Sequence, residues 1–260
     1  ATAENARKDI RDAISLLFQN ENTAPFVSRQ LIQFLVTDNP TPAYVQRVAS
    51  VFINNGNGKR GDLAAVVRAI LLDQEARDPA AAFGSSFGRL KEPILRTMAL
   101  ARVCGMKQHE DLLWWDWNDY YASSRQEPAY SPSVFNFYRP DYRAPGLLTQ
   151  NQLSSPVFQI TDSFSSIAFP NRIWKDISEG FRLWGTYQFP LDLSHEVSLA
   201  SQPELLLNRL NVMFCGGHMS AATRSIILNA LNTIPSSQPE ARARVALYLT
   251  MVSAEGAVMR

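Results

Sequence analysis

The most unusual local string in the chain is Asn54-Asn55-Gly56-Asn57-Gly58-Lys59-Arg60-Gly61-Asp62. A glycine- and asparagine-rich loop running into a helix can cradle an anion on free backbone N–H groups. Asn57, Lys59 and Arg60 are the candidate anion-binding residues, the two cations adding charge. The string is not a P-loop, which ends Gly-Lys-Ser/Thr, and it lacks the acidic ligand spacing of an EF-hand. A second reading is a tight connection between two helices, with glycines supplying positive φ and Asp62 capping a helix that starts at Leu63. That reading is the stronger. It leaves little for the Arg60-Gly61-Asp62 adhesion tripeptide, whose carboxylate is then occupied as a cap.

A second concentration of chemistry is Trp114-Trp115-Asp116-Trp117-Asn118-Asp119-Tyr120-Tyr121. A flat ring covers the apolar face of a sugar while carboxylates and amides hold its hydroxyls, so Trp114, Asp116 and Trp117 are candidate ligand-binding residues. Trp184, Tyr187 and Asp192 offer a second set. Two carboxylates across a cleft would suit glycoside hydrolysis. The competing reading, an aromatic core with its acids facing water, is the stronger. Asn136, Tyr138 and Arg139 join the candidates. Arg139 could clamp a carboxylate or phosphate, although an ion pair that holds an extended segment explains it more simply.

Other chemistries find less support. His109, His195 and His218 stand far apart, outside any spaced ligand motif, and no metal or cofactor is expected. His195-Glu196 could be an acid–base pair, but adjacent helical residues point different ways. No G-x-S-x-G elbow is present, and neither Cys104 nor Cys215 has a histidine nearby in sequence. Two cysteines are too few for a disulfide scaffold, and two small buried thiols are the simpler expectation.

These residues must be positioned by helices. Val27, Leu31, Phe34 and Leu35 share one helical stripe, as do Leu63, Val66, Val67, Ile70 and Leu71, and Val245, Tyr248, Leu249 and Val252. Thr41-Pro42, Ser155-Pro156, Gln202-Pro203 and Gln238-Pro239 place proline at first helical positions. Glu204 and Glu240 follow in first turns, and Gly216-Gly217 is a stop. The middle differs in kind. Residues 110–190 hold 18 of the 27 aromatics, and five prolines fall between Pro128 and Pro156, each holding its predecessor extended. The expected fold is therefore mainly α: a multi-helix orthogonal bundle crossed by a long irregular aromatic- and proline-rich segment. Its expected parts are N-terminal helices over 1–110, the aromatic segment over 111–195 and C-terminal helices over 196–260, together one compact unit.

Composition narrows the partners. The 46% apolar and 19% charged residues exclude a disordered tail, and a net charge of +1 gives no overall field toward nucleic acid. The longest uninterrupted apolar run is five residues, as in Val245–Leu249, against the roughly 20 that a spanning helix needs. A soluble globular chain without a transmembrane segment is expected.

Several strings together resemble one family. They are Ala24-Pro25-Phe26-Val27 with Arg29-Gln30-Leu31-Ile32, Val36-Thr37-Asp38-Asn39-Pro40-Thr41-Pro42-Ala43-Tyr44-Val45, and Arg60-Gly61-Asp62-Leu63. Lys91-Glu92-Pro93, Ser131-Pro132-Ser133-Val134-Phe135-Asn136-Phe137-Tyr138-Arg139-Pro140 and Pro156-Val157-Phe158-Gln159-Ile160-Thr161 continue the series. In this order the chain resembles the bacterial domain of unknown function 1800 family, a set of uncharacterised exported proteins. The resemblance implies a chain about twice this length, of which these strings form the C-terminal half. It also implies a periplasmic or extracellular location and an exported partner that resembles a sulfatase. It carries no established reaction and so no catalytic residues. Two departures stand out: Asn20-Glu21 where relatives tend to have histidine and proline, and Ser253-Ala254-Glu255-Gly256 for a terminal Ser-Pro-Glu-Tyr. The second suggests a looser final turn.

The function expected from all this is a non-catalytic binding or scaffold component that works with an exported partner. One rival is a hydrolase on a carbohydrate or sulfated polymer. Another is a supporting half whose active groups lie in a missing N-terminal half.

Overall fold

A computed structural model describes residues 3–82, 84, 86–106, 117–183 and 187–260, with backbone only at 81, 82, 117–119, 183, 187 and 188. The chain is mainly helical, as its periodicity requires, and it divides into two compact units, Ala1–Gly88 with Arg260, and Arg89–Met259.

The first unit contains α1 (Ala3–Gln19), α2 (Thr23–Leu35), α3 (Pro42–Ile53), α4 (Leu63–Leu72), α5 (Gln74–Arg77) and α6 (Pro79–Ala82). Its core is Ala24, Ile32, Tyr44, Val48, Ala49, Phe52, Val66 and Ile70, which are the inward stripes of α2, α3 and α4. Local chemistry sets the helix starts. The Thr41 side chain accepts the Tyr44 N–H with Pro42 at the first turn, and Asp62 Oδ1 accepts the Ala65 N–H at 3.2 Å. Asp73 stops α4 and caps α5 by accepting the Glu75 N–H. Its carboxylate also takes both prongs of Arg47 at 2.7 Å. Helix α1 buries no residue, and its last turn is fixed by Phe18, whose ring lies 5.9 Å from that of Phe52.

The second unit begins with β1 (Arg89–Leu90) and α7 (Pro93–Val103). It continues through α8 (Trp117–Ser124), α9 (Leu147–Gln150), a 3₁₀ turn (Pro156–Ile160) and α10 (Ser165–Glu179). The strands β2 (Phe181–Leu183) and β3 (Tyr187–Phe189) form a small antiparallel hairpin. Helices α11 (Ser194–Leu199), α12 (Pro203–Cys215), α13 (Ala221–Asn232), α14 (Pro239–Val252) and α15 (Ala254–Ala257) follow, and β4 (Val258–Met259) closes antiparallel on β1. Leu100, Tyr120, Phe169, Ile173, Phe181, Leu206, Leu210, Ile227 and Leu247 are in its core, each aliphatic side chain contributing about 1.5–3 kcal/mol by burial. Ser155-Pro156 starts a 3₁₀ turn rather than the expected α-helix, because the chain leaves it after five residues.

The final turn is tight, not loose. Ser253 Oγ accepts the Gly256 N–H at 3.0 Å, and the Glu255 carboxylate accepts Ser220 N–H at 3.2 Å and Thr223 Oγ1 at 2.9 Å. Both cysteines are free and buried. No described helix is long and apolar enough to cross a membrane.

Candidate functional site

Residues 125–155 between α8 and the 3₁₀ turn form the irregular segment, with α9 its one helical turn. The described non-glycine residues with positive φ all lie in it: Arg125 (58°), Ala129 (64°), Asn136 (71°) and Gln152 (57°). Each such residue costs on the order of 1–3 kcal/mol and persists where its surroundings over-determine it.

The principal brace is Glu92. Pro93 at the first position of α7 makes Glu92 the residue before the helix, but its side chain caps no amide and turns inward instead. Glu92 Oε1 accepts the Tyr138 hydroxyl at 2.8 Å and Arg89 Nη2 at 3.3 Å. Arg89 Nη2 also lies 3.3 Å from the Tyr138 oxygen, so the hydroxyl donates to the acid while accepting from the guanidinium. Glu92 Oε2 accepts Gln126 Nε2 in a short hydrogen bond, and Asn136 Nδ2 stands at 3.5 Å, the edge of hydrogen-bond range. Gln126 Oε1 in turn accepts the Ile94 N–H at 3.1 Å. Arg89, Glu92, Gln126 and Tyr138 are all buried. Burial, then the neighbouring Glu92 charge, holds the Tyr138 hydroxyl well above the usual tyrosine range. Both carboxylate oxygens are thus engaged, and the arrangement is that of a positioning network.

The structure brings Asn136 and Tyr138 together, on residues that the sequence did not mark as functional. Arg139 points elsewhere: it is exposed and forms a two-pronged pair with Asp141 at 3.1 and 2.9 Å. Trp114 and Asp116 lie outside the described residues, as do the side chain of Trp117, His109, Trp184 and the side chain of Tyr187. His195 is exposed whereas Glu196 is buried against Arg209 at 2.7 Å, so the two do not face each other. Of the carboxylates that could have flanked a cleft, Asp141, Asp162, Asp176 and Glu179 each pair with an arginine. Among the described residues no group of histidine, cysteine and acids could hold a metal ion.

In the first unit, the loop that carries Asn57, Lys59 and Arg60 spends its amides internally. Asn54 Oδ1 accepts the Gly56 and Gly58 N–H groups at 2.9 Å, and Asn55 Oδ1 accepts those of Asn57 and Lys59. Asn55 Nδ2 bonds Asp62 Oδ2 at 2.8 Å, tying the loop to the cap of α4, while Gly56, Gly58 and Gly61 take positive φ. Arg60 donates to the Phe18 and Asn20 carbonyls and lies over the Phe18 and Phe52 rings at 5.5 and 5.3 Å. Those amides and that guanidinium already have partners, and the geometry is that of a helix connector.

The signal that could have pointed to Glu92 was its place in Lys91-Glu92-Pro93, one of the family strings, whose neighbour in space is another such string, Ser131–Pro140. No curated protein and no solved structure matches the chain. The family model described as "Protein of unknown function (DUF1800)" matches residues 1–257, and the chain belongs to that family.

Proposed function

We propose that the chain is a non-catalytic binding component that presents its irregular segment to an exported protein partner. One observation carries this reading: the segment is braced from inside by Glu92 and carries apolar side chains outside. Tyr130, Val134, Phe135 and Leu147 are all exposed, Val134 to 95%. An irregular backbone held in costly conformations, with apolar side chains turned to solvent, is preorganised for docking, because little ordering entropy remains to be lost on binding. Export and a sulfatase-like partner rest on what is implied by family resemblance. The hydrolase reading requires two acids across an open cleft. The arginine pairing of four carboxylates supports the binding reading over it.

The test is calorimetry between the purified chain and an exported sulfatase-like protein of the kind the family resemblance implies. The double variant Val134→Asp, Leu147→Asp should weaken binding at least tenfold while leaving the unfolding transition of the second unit in place. Absence of binding by the unaltered chain, or undiminished binding by the variant, overturns the proposal.

A further inference from the structure

The second unit contains a partly open pocket of about 200 Å³ beside the start of α7. Lys91, Arg96, Thr161 and Ser166 line it together with an apolar wall that includes Phe158 and Phe169. Two cations border this small space, and among the described residues neither pairs with a carboxylate. Lys91 Nζ donates to the Phe214 and Gly256 carbonyls at 2.6 and 3.1 Å, and Arg96 Nη2 donates to the Met251 carbonyl at 2.6 Å. These carbonyls lie at or near helix C-termini, whose partial negative charge favours a cation but amounts to about half a unit each. The Arg96 guanidinium also lies over the Phe169 ring, 5.0 Å from its centroid, a partner that brings no full negative charge.

We propose that this pocket binds a short-chain carboxylate, its head on Arg96 with Lys91 nearby and its tail against Phe158 and Phe169. The argument is one of complementarity. A carboxylate supplies the negative charge that neither cation has, in the planar geometry a guanidinium recognises. The volume would hold about six or seven waters at roughly 30 Å³ each, so the ligand is small. The apolar wall favours a molecule with a hydrocarbon body over a bare inorganic oxyanion. The charge state of the site agrees. Burial lowers the Arg96 pKa to about 10, and burial, opposed by the neighbouring Cys215 and reinforced by Arg96, lowers that of Lys91. The site is built from α7, the 3₁₀ turn, α10 and the C-terminal elements, and it does not depend on the docking segment being used by a partner.

The experiment measures binding by calorimetry and thermal shift with sodium butanoate, sodium phosphate and sodium sulfate, each against sodium chloride at equal ionic strength. Butanoate should give a saturable response in the unaltered chain that falls at least tenfold in Arg96→Gln. Thr161→Trp, which keeps both cations and adds bulk to the pocket lining, should lose binding to a similar extent, and it carries the test if Arg96→Gln does not fold. No butanoate response beyond chloride overturns the proposal, as does an equal response in the folded variants. Binding of phosphate or sulfate without butanoate overturns the assignment of the ligand as a carboxylate.

Discussion

Replacing Glu92 with alanine should destabilise the second unit by about 3–5 kcal/mol, the range for breaking a buried pair by removing one partner. The components follow from the geometry. At 3.3 Å, Arg89 and Glu92 attract by about 5 kcal/mol at an effective dielectric of 20. The hydrogen bonds from Tyr138 and Gln126 to the acid are charge-assisted, about 1.5–3 kcal/mol each. Opposing them is the cost of desolvating the carboxylate, several kcal/mol, which the substitution removes. What remains is a guanidinium with side-chain exposure of 2% that has lost the Glu92 carboxylate. The assay is urea unfolding followed by tryptophan fluorescence. All five tryptophans lie between Trp114 and Trp184, so the signal reports the second unit alone. With a slope of about 2 kcal/mol per molar urea, the midpoint should fall by about 2 M. The double variant Arg89→Met, Glu92→Met should be more stable than Glu92→Ala, because it leaves no buried charge behind. Amide hydrogen exchange over residues 125–140 should rise in Glu92→Ala before global unfolding, since the brace of that segment is gone. A loss under about 1 kcal/mol, or a double variant weaker than the single one, refutes the reasoning.

Further outcomes follow from individual groups. The two-pronged hydrogen bond from Arg47, then burial opposing it and the Glu75 amide reinforcing it, holds the Asp73 carboxyl below its ordinary value. The stability it contributes is therefore full above the unfolded pKa near 4 and is lost as pH falls through the lower folded one. Asp73→Asn should cost about 1–3 kcal/mol at pH 7 and flatten the acid loss, read by hydrogen exchange in α3 and α4; an unchanged pH profile counts against it. Burial, then the Glu196 charge, pushes the Cys104 thiol up to about 12, and burial pushes that of Cys215 up to about 11. Neither should react with DTNB at pH 8 in the folded chain, and both should react in denaturant; rapid native labelling would contradict their burial. A Cβ on Gly256 would collide with the Thr250 carbonyl and lie 3.2 Å from Met251 Cα. Gly256→Ala should therefore lower stability by about 1–3 kcal/mol in the same fluorescence assay, and an unaltered midpoint would show that the last turn can give way.

What could be read from the sequence was what is local. Thr41, Asp62 and Ser220 all cap an amide three residues ahead, so spacing alone exposes them. The helical stripes were legible for the same reason, since a burial period of 3.6 is written along the chain. Even the connector 54–62 was readable, because Asn54 and Asn55 bond amides two and four residues onward. Glu92 was not. Its partners Gln126 and Tyr138 lie 34 and 46 residues away, and next to Pro93 it reads as an ordinary acid at a helix start. Arg139 and Asn136 stand close in one string, but the fold sends the first to solvent and the second to the buried acid. Extended backbone around prolines carries no face-setting period from which that division could be read.

Net charge hides the same kind of information. A total of +1 describes a balanced surface, yet the balance is not local. Arg125, Arg139, Arg172 and Arg182 are matched by acids, while Lys91 meets carbonyls and Arg96 a carbonyl and the Phe169 ring. In sequence, Arg96 is one cation on a proline-led helix and would be taken for a solvated face. Burial changes its meaning, because a solvated cation has water for a counterpart, whereas a buried one keeps its full demand for an acceptor. A candidate site of this type is set by which charges the fold has left uncompensated, and counting them requires the contacts of each cation rather than the sum of all.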